Sequence, residues 1–257
     1  IKTSKTDPKH SSSYVDVCFT LQQIYRTLPA VPNSEQLVQH LCKTAEYYTD
    51  KVFAALPHTE FFDITKPIDD SVTTKFCMSV NNVEQVRRDG KLELCQGRVS
   101  AESWRSSIDH LVETGDANIS GQTELAMNKM VEHHKLTINK HVFHLAWSPQ
   151  GCPTELASKP LMEELDTYLI HFHRSLLHRN FVRLLYAMFK MVLTIIKLTV
   201  DENSGREAEF YQRLHESLIL LAQFFNADGK GISMEKINET RDYKDLMANL
   251  TLTGIQQ

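Results

Sequence analysis

A chain of 257 residues, 42% hydrophobic and 23% charged, is long enough for one elongated domain or two compact ones, and its composition excludes overall disorder. A net charge of −4 at pH 7 provides no electrostatic footprint for nucleic acid, and we expect no nucleic-acid partner. Glycine is scarce, with 9 residues, and stretches of alternating apolar and polar residues between turn signals are almost absent. The sequence therefore predicts an all-α protein.

The start of the chain and its cysteines predict an intracellular protein. The first residues lack the charged, apolar and small-residue segments of a secretory signal. The five cysteines are odd in number and far apart, which predicts reduced, buried thiols rather than a disulfide framework. They are Cys18, Cys42, Cys77, Cys95 and Cys152.

Apolar spacing and the positions of Pro, Gly and Asn predict nine helices after a polar, frayed segment over 1–13. Their approximate ranges are 14–28, 34–56, 71–89, 100–111, 120–147, 161–176, 181–200, 210–225 and 233–250. Gly115 and Gly121 predict a break between the fourth and fifth helices. This break divides the chain into a first bundle, 14–115, and a second bundle, 116–257.

The helix lengths favour an elongated arrangement. Short connections make antiparallel packing of neighbouring helices the natural solution, and the absence of a fixed repeat disfavours a solenoid. The longest predicted helix would reach about 40 Å. We therefore expect a rod of stacked antiparallel helical bundles.

The predicted helix over 181–200 is apolar around most of its circumference. Arg183, Lys190 and Lys197 lie seven residues apart and form one narrow cationic stripe. A membrane span is excluded because a lysine would lie near the middle of the bilayer. Two interpretations remain: a core helix packed against neighbours on most sides, which we favour, and a basic helix that binds a partner as calmodulin targets do.

The histidines do not predict a metal site. Six of the twelve are close together in the predicted helices, but the His-Glu-x-x-His spacing is absent and no cysteine pair has zinc spacing. We interpret them as surface or core residues. They are His133, His134, His141, His144, His171 and His173.

The turn over 224–231 resembles a calcium loop only faintly. With Asn226 at position one, position twelve is Ile237, where a bidentate glutamate is required. We instead predict a helix end closed by Gly229 in a left-handed conformation, followed by Ser233 as the next N-cap. Nucleophile–base and phosphate-binding motifs are also missing, so we expect no enzyme and no cofactor.

Three ordered stretches of the sequence resemble one family. They are 76–87, the segment from 160–166 through 180–185, and 224–231. In order and spacing they resemble the C-terminal half of the MUN domain of the Unc-thirteen (Munc-type) vesicle-priming family, and residues 14–17 resemble the helix that opens that half. The resemblance covers about 14–252.

The resemblance implies a scaffold for regulated exocytosis, similar in architecture to tethering-complex subunits. It implies binding to SNARE proteins of the syntaxin and synaptobrevin types and to the Sec/Munc-type chaperone that holds syntaxin closed. Membranes would be reached indirectly through flanking modules, so that a cytoplasmic protein is recruited to the vesicle or plasma membrane. Helix-in-groove recognition along a seam between two helices would bind the SNARE motif.

Two groups of residues are candidates for partner binding. The first is a polar set in the third predicted helix, for which hydrogen bonds between helices of the rod are the alternative interpretation. The second is the cationic stripe. The candidates are Asn81, Asn82, Glu84, Gln85, Arg87, Arg183, Lys190 and Lys197.

A second class of function stays open at this level. A different helical adaptor or tethering-complex subunit, one that binds small GTPases or lipids, would show the same periodicity and the same absence of catalytic motifs. Retention of isolated SNARE motifs by the purified chain distinguishes the two.

Overall fold

The computed structural model describes residues 11–27, 34–56, 63, 68–89 and 102–255. Across these ranges every regular element is a helix, which confirms the predicted all-α fold. None of these helices combines the length and apolar character that crossing a membrane requires. In chain order the helices are α1 (Ser13–Thr27), α2 (Ser34–Ala54), α3 (Asp70–Asp89), α4 (Glu102–Glu132), α5 (Lys135–Ala146), α6 (Thr154–Ser175), α7 (His178–Asp201), α8 (Ala208–Asn226), α9 (Met234–Glu239) and α10 (Arg241–Ile255).

The chain divides into two compact units. Unit 1 comprises Ile1–Lys129 and Ser175–Asn180, and unit 2 comprises Met130–Arg174 and Phe181–Gln257. The predicted boundary between bundles at residue 115 is therefore displaced to Lys129. The boundary differs from the predicted one because α4 continues through residue 115 to Glu132.

The predicted break at Gly115 and Gly121 is wrong, because α4 passes through both glycines. Gly115 is buried, and a Cβ there would lie 3.4 Å from the Cβ of Cys42 in α2. The missing side chain lets the two helices approach closely. A helical glycine costs about 1 kcal/mol relative to alanine. Burial of Val112 and Ile119 on the flanking turns offsets that cost.

The single helix predicted over 120–147 is also wrong, since a turn at His133 and His134 separates α4 from α5. The ring of His134 packs against Tyr168 of α6, with centroids 3.6 Å apart. Burial, together with the charge of His133, lowers the pKa of His134 from 6.5 to about 4. The imidazole is therefore neutral where it packs on Tyr168.

In unit 1, α1 and α2 both pack against α3. Burial raises the pKa of Cys77 to about 12, so this thiol stays protonated and unreactive. The predicted buried thiols are confirmed for three cysteines, whereas Cys152 is half-buried and Cys95 lies outside the described residues. The core cluster consists of Cys18, Leu21, Val38, Leu41, Cys42, Ala45, Val83, Val86, Val112 and Ile119.

The prediction of a frayed segment over 1–13 is wrong for residues 11–13. Residues 1–10 lie outside the described residues, but the amide of Ser11 donates to Asn82 Oδ1 at 3.1 Å, and Asn82 Nδ2 donates back to Ser11 Oγ at 2.7 Å. α1 then begins at Ser13. The start of α1 is thus tied to α3 by a reciprocal pair of hydrogen bonds.

In unit 2, α7 is a core helix, as predicted. The Phe189 ring lies 5.2 Å from Phe225 of α8 and 5.9 Å from Tyr243 of α10, and α8 packs along α10. Each fully buried side chain of this size contributes about 1.5–3 kcal/mol. The apolar face of α7 is buried against other helices of unit 2. Little of this face is therefore exposed for binding a partner as calmodulin targets do. Its buried residues include Leu184, Met188, Phe189, Val192, Leu193 and Ile196.

The turn after α8 confirms the left-handed conformation of Gly229 and the N-cap Ser233, but α8 ends at Asn226 with Ala227, not Gly229, as its C-cap. Gly229 is left-handed, with φ of 83°, and Ser233 caps α9 by accepting from the amide of Lys236. Ala227 and Asp228 are also left-handed, which the sequence did not predict. The Asn226 side chain holds the turn, because it accepts from the Gly229 amide and donates to the Ile232 carbonyl.

The last predicted helix, 233–250, is two helices in the structure. α9 ends at Glu239, Thr240 is extended with ψ of 117°, and α10 starts at Arg241. The Thr240 hydroxyl donates to the carbonyl of Lys236 at 2.8 Å and lies 3.2 Å from the Tyr186 hydroxyl of α7. The kink therefore positions α9 and α10 on α7.

Candidate partner-binding surfaces

The first predicted set of partner-binding residues lies on α3, inside unit 1. Asn81 is fully buried; its Nδ2 donates to the Ser175 carbonyl at 2.8 Å, and its Oδ1 accepts from the Leu177 amide at 2.9 Å. Asn180 Nδ2 donates to the Val80 carbonyl at 3.1 Å. Asn180 thus lies in the first turn of α7 and bonds to α3.

A second part of this set is an ionic cluster. Arg87 binds both carboxylate oxygens of Glu84, with Nε–Oε2 at 3.1 Å and Nη2–Oε1 at 3.0 Å. Its Nη1 also contacts Asp116 of α4 at 2.5 Å, and Arg179 approaches Glu84 at 3.5 Å. Burial opposes the charge of Arg87, but the hydrogen bonds from Glu84 and Asp116 outweigh it and raise the pKa of the guanidinium. The Arg87 guanidinium therefore stays charged in this cluster.

These contacts show where the predicted residues of α3 lie. Asn81, Asn82 and Glu84 are buried, so they present no surface to a partner in this structure. The alternative interpretation, polar contacts between helices, is confirmed for Asn81, Glu84 and Arg87, whereas Asn82 bonds to Ser11, which precedes α1. Gln85 is half-buried.

The predicted cationic stripe lies along α7 in unit 2. Arg183 and Lys190 are half-buried and Lys197 is exposed. The ammonium group of Lys190 lies 4.9 Å from the centre of the Tyr186 ring, and that of Lys236 lies 4.2 Å from the same ring. Cation–π contacts of this kind contribute about 0.5–1 kcal/mol at exposed sites. The stripe is therefore partly used inside the unit, with Lys197 its most accessible member.

An open groove in unit 2, of about 390 Å³, is formed by α6, α7 and the end of α8. Leu169, Phe181 and Leu185 are buried in its walls, whereas Ile170 is 44% exposed at its edge. We define the groove by its lining residues, which are Asp166, Leu169, Ile170, His173, Phe181, Leu185, Phe224, Phe225, Ala227, Lys230 and Gly231.

The groove combines an aromatic interior with charged edges. The His173 ring meets Phe181 edge-on at 4.9 Å, and Phe224 and Phe225 are perpendicular to one another at 5.4 Å. Asp166 and Lys230 are exposed, one of each sign. Apolar pockets with a few polar groups at the edge accept the apolar side chains of an amphipathic helix.

A second, polar cavity of about 290 Å³ surrounds the start of α6 and the buried Arg213 of α8. The Arg213 guanidinium donates to the carbonyls of Ser148 and Pro149, at 2.6 and 3.2 Å, and pairs with Glu209 at 2.8 Å. The two hydrogen bonds satisfy backbone carbonyl groups of the loop that follows α5. The Thr154 hydroxyl, followed by Gln212, lowers the pKa of Glu216 by hydrogen bonding. The polar groups here are thus engaged in holding α5, α6 and α8 together.

Within the described ranges, no three histidine, cysteine, aspartate or glutamate side chains come close enough together to hold a metal ion. The groove was not predicted as a site from the residues alone. The sequence did contain a clue to it, because two of the three stretches that carry the family resemblance, 160–185 and 224–231, supply the residues that line the groove.

No family model matches the chain. The chain is similar to BAI1-associated protein 3 of Mus musculus, with 26% identity over 263 residues that cover 95% of this chain and 22% of that protein. BAI1-associated protein 3 of Homo sapiens is 27% identical over 235 residues, covering 84% of this chain and 18% of that protein. The chain spans about a fifth of the length of these relatives.

Proposed function

We propose that the chain is a helical scaffold of regulated exocytosis that tethers or primes vesicles. It binds SNARE proteins of the syntaxin and synaptobrevin types and the Sec/Munc-type chaperone, and so promotes assembly of the SNARE complex. It acts in the cytoplasm and is recruited peripherally to the vesicle or plasma membrane.

The groove of unit 2 is the observation that carries this proposal. The stretches that resemble the MUN domain supply Phe181, Leu185, Phe224 and Phe225, which build its aromatic interior. A SNARE motif forms an amphipathic helix, and its apolar face matches such a groove. The opposite charges of the groove edges provide polar contacts for either orientation of that helix.

The mechanism is a shift in the population of syntaxin conformations. A scaffold favours open syntaxin only by the difference between its affinities for the open and the closed state. The closed state buries the SNARE motif, whereas the open state exposes its apolar face to the groove. Each tenfold preference for the open state provides about 1.4 kcal/mol toward opening.

Titration of labelled syntaxin into the purified chain, with and without its chaperone, tests the proposal. The matched variants are Ile170→Glu at the groove edge and Ile219→Glu on α8, outside the groove; these residues are 44% and 40% exposed. We expect Ile170→Glu to weaken binding about tenfold, because a carboxylate then meets the apolar face of the SNARE helix. Ile219→Glu should bind as the parent chain does.

Failure of the chain to retain either syntaxin or synaptobrevin would overturn the proposed function. Retention that both variants leave unchanged would overturn only the assignment to the groove. Circular dichroism of the variants shows whether a loss of binding reflects unfolding, and both substitutions are at exposed positions where we expect the fold to persist.

A second candidate follows from the name of the relatives, which states an association with BAI1. In this second candidate the chain is a helical adaptor that binds BAI1, which differs from the GTPase- or lipid-binding adaptor of the sequence analysis in its partner. Retention of BAI1 by the chain, with no retention of SNARE motifs in the same assay, would favour this candidate.

A further inference from the structure

One face of α5 is exposed although it is apolar. Leu136 is 71% exposed and Phe143 53%, and Trp147, directly after α5, is also exposed. Phe143 and Trp147 follow Leu136 by seven and eleven residues, so the three side chains lie in one line along the helix, about 16 Å long. Lys140 lies in the same line, one turn from Leu136 and also exposed. We call these four residues the α5 stripe.

The aromatic end of the α5 stripe is held in place by neighbouring side chains. The Phe143 and Trp147 rings are stacked, with centroids 4.6 Å apart and planes 15° from parallel. Phe210 of α8 meets Trp147 edge-on at 5.4 Å, and the Arg206 guanidinium lies 5.8 Å from the Trp147 ring. Fixed aromatic rings lose little conformational entropy on binding, which is typical of residues that dominate protein interfaces.

The charges that α5 itself carries have one sign. Between Lys135 and Ala146, α5 carries two lysines and two histidines and no carboxylate. Two carboxylates follow Arg206 outside α5: the exposed Glu207 accepts from Gln150, and Glu209 pairs with Arg213. A cationic, apolar face on a chain of net charge −4 calls for an acidic partner.

We propose that the α5 stripe is a docking site for an acidic amphipathic helix of a protein partner, separate from the groove. Apolar side chains of the partner pack on Leu136 and on the Phe143–Trp147 pair, and a glutamate or aspartate of the partner pairs with Lys140. The inference rests on the proposed function in one respect, namely that this scaffold binds helices.

The position of Lys140 favours a protein partner over a membrane surface. An interfacial helix carries its cations on the face opposite the apolar residues, at the level of the headgroups. Lys140 instead lies within the apolar line, between Leu136 and Phe143, where a partner carboxylate can reach it. A helix with apolar residues at heptad spacing also matches the separation of Leu136 and Phe143.

The test uses a designed amphipathic helical peptide with leucine at the a and d positions and glutamate at the e and g positions, titrated into the 257-residue chain. Leu136→Gln and Lys140→Glu should each weaken binding about tenfold. Leu125→Gln is the matched control, because Leu125 of α4 is 68% exposed and lies outside the stripe. A peptide with lysine in place of glutamate should bind poorly to the parent chain and regain affinity for Lys140→Glu.

Two results would overturn the proposal. One is equal binding of the glutamate and lysine peptides, or binding that Leu136→Gln leaves unchanged. The other is binding of phosphatidylserine vesicles that depends on Leu136 while the glutamate peptide does not bind, which would make the stripe a membrane contact. Neither result depends on syntaxin, so failure here is distinguishable from failure of the groove variants in the syntaxin titration.

Discussion

At the scale of single residues, the buried amide of Asn81 stabilises unit 1. Asn81→Ala leaves the Ser175 carbonyl and the Leu177 amide without the partner that the structure gives them. Because each buried, unsatisfied polar group costs about 1–3 kcal/mol, we expect the free energy of unfolding to fall by about 2–4 kcal/mol. Urea denaturation measures this loss, and hydrogen exchange of α3 amides assigns it to unit 1.

The matched control is Asn118→Ala on α4, an exposed asparagine whose Nδ2 donates to Glu46. Its removal should change the free energy of unfolding by less than about 0.5 kcal/mol. Equal losses for the two variants would mean that Asn81 is not a structural residue.

His134 makes the stability of unit 2 depend on pH. Burial and the charge of His133 lower its pKa from 6.5 to about 4, so protons bind the unfolded chain more tightly. The stability that neutral His134 provides is complete above pH 6.5 and falls as the pH drops to about 4, by roughly 3 kcal/mol. Below pH 4 this residue causes no further loss.

The variant His134→Phe keeps a ring against Tyr168 but cannot bind a proton. We expect its unfolding free energy to decline less than that of the parent chain between pH 6.5 and pH 4, as measured by urea denaturation. His144→Gln, at an exposed position of α5, should keep the pH dependence of the parent chain. Parallel curves for the parent and His134→Phe would contradict the assignment.

The polar residues of α3 show what the sequence leaves undetermined at this scale. Asn81 and Glu84 belong to α3, whose range was predicted to within one residue, but polar side chains give no signal of burial. The groups that satisfy Asn81 are 94 and 96 residues away in the chain. Burial of such residues depends on tertiary contacts that periodicity does not encode.

At the scale of elements, the turn between α8 and α9 depends on Gly231. A Cβ at this position would overlap the Phe225 carbonyl oxygen and lie 3.2 Å from that of Asn226. Since backbone atoms cannot yield as a flexible side chain can, we expect Gly231→Ala to lower the unfolding free energy of unit 2 by about 3 kcal/mol. Syntaxin binding should weaken as well, because Gly231 lines the groove.

Gly229→Ala is the control for this turn. Gly229 has a φ of 83°, but a Cβ there meets no atom within 4 Å. The expected cost is about 1 kcal/mol, from backbone conformation alone. Thermal denaturation of both variants measures the difference, and a Gly231→Ala chain as stable as Gly229→Ala would contradict the steric argument.

Helix type was predictable from the sequence, and helix ends were predictable only where local chemistry sets them. The apolar periodicity of α7 is strong enough to identify a core helix, and Gly229 and Ser233 are local signals for the turn. Gly115 misled the prediction because its role is close packing against Cys42, and the turn at His134 involves packing against Tyr168. Both depend on distant residues.

At the scale of the whole molecule, the three stretches that carry the family resemblance contain both most of the residues predicted to bind a partner and the residues that line the groove. The resemblance directed attention to 76–87, where Asn81, Asn82 and Glu84 are buried, and to 160–185 and 224–231, which supply the lining of the groove. Charge patterning identified the stripe on α7, yet the exposed apolar line on α5 was missed. Exposure of apolar residues cannot be predicted from periodicity, because an amphipathic pattern does not say which face is covered.

Two surfaces of different chemistry in one molecule should respond differently to salt. The Debye length falls from about 10 Å at 0.1 M salt to about 3 Å at 1 M, which screens exposed charge pairs. Binding of the glutamate peptide at the α5 stripe should weaken about tenfold over this range, since Lys140 is exposed. Binding of syntaxin in the apolar groove should change little, because burial of apolar surface is not screened.

Titrations at the two salt concentrations with Ile170→Glu and Leu136→Gln separate the surfaces. Leu136→Gln should weaken the salt-sensitive binding of the peptide about tenfold and leave the binding of syntaxin unchanged, whereas Ile170→Glu should do the reverse. The same salt dependence for both ligands, or the loss of both with either variant, would show that a single surface binds them. In that case the net charge of −4, rather than the local cations, would govern how acidic partners approach the molecule.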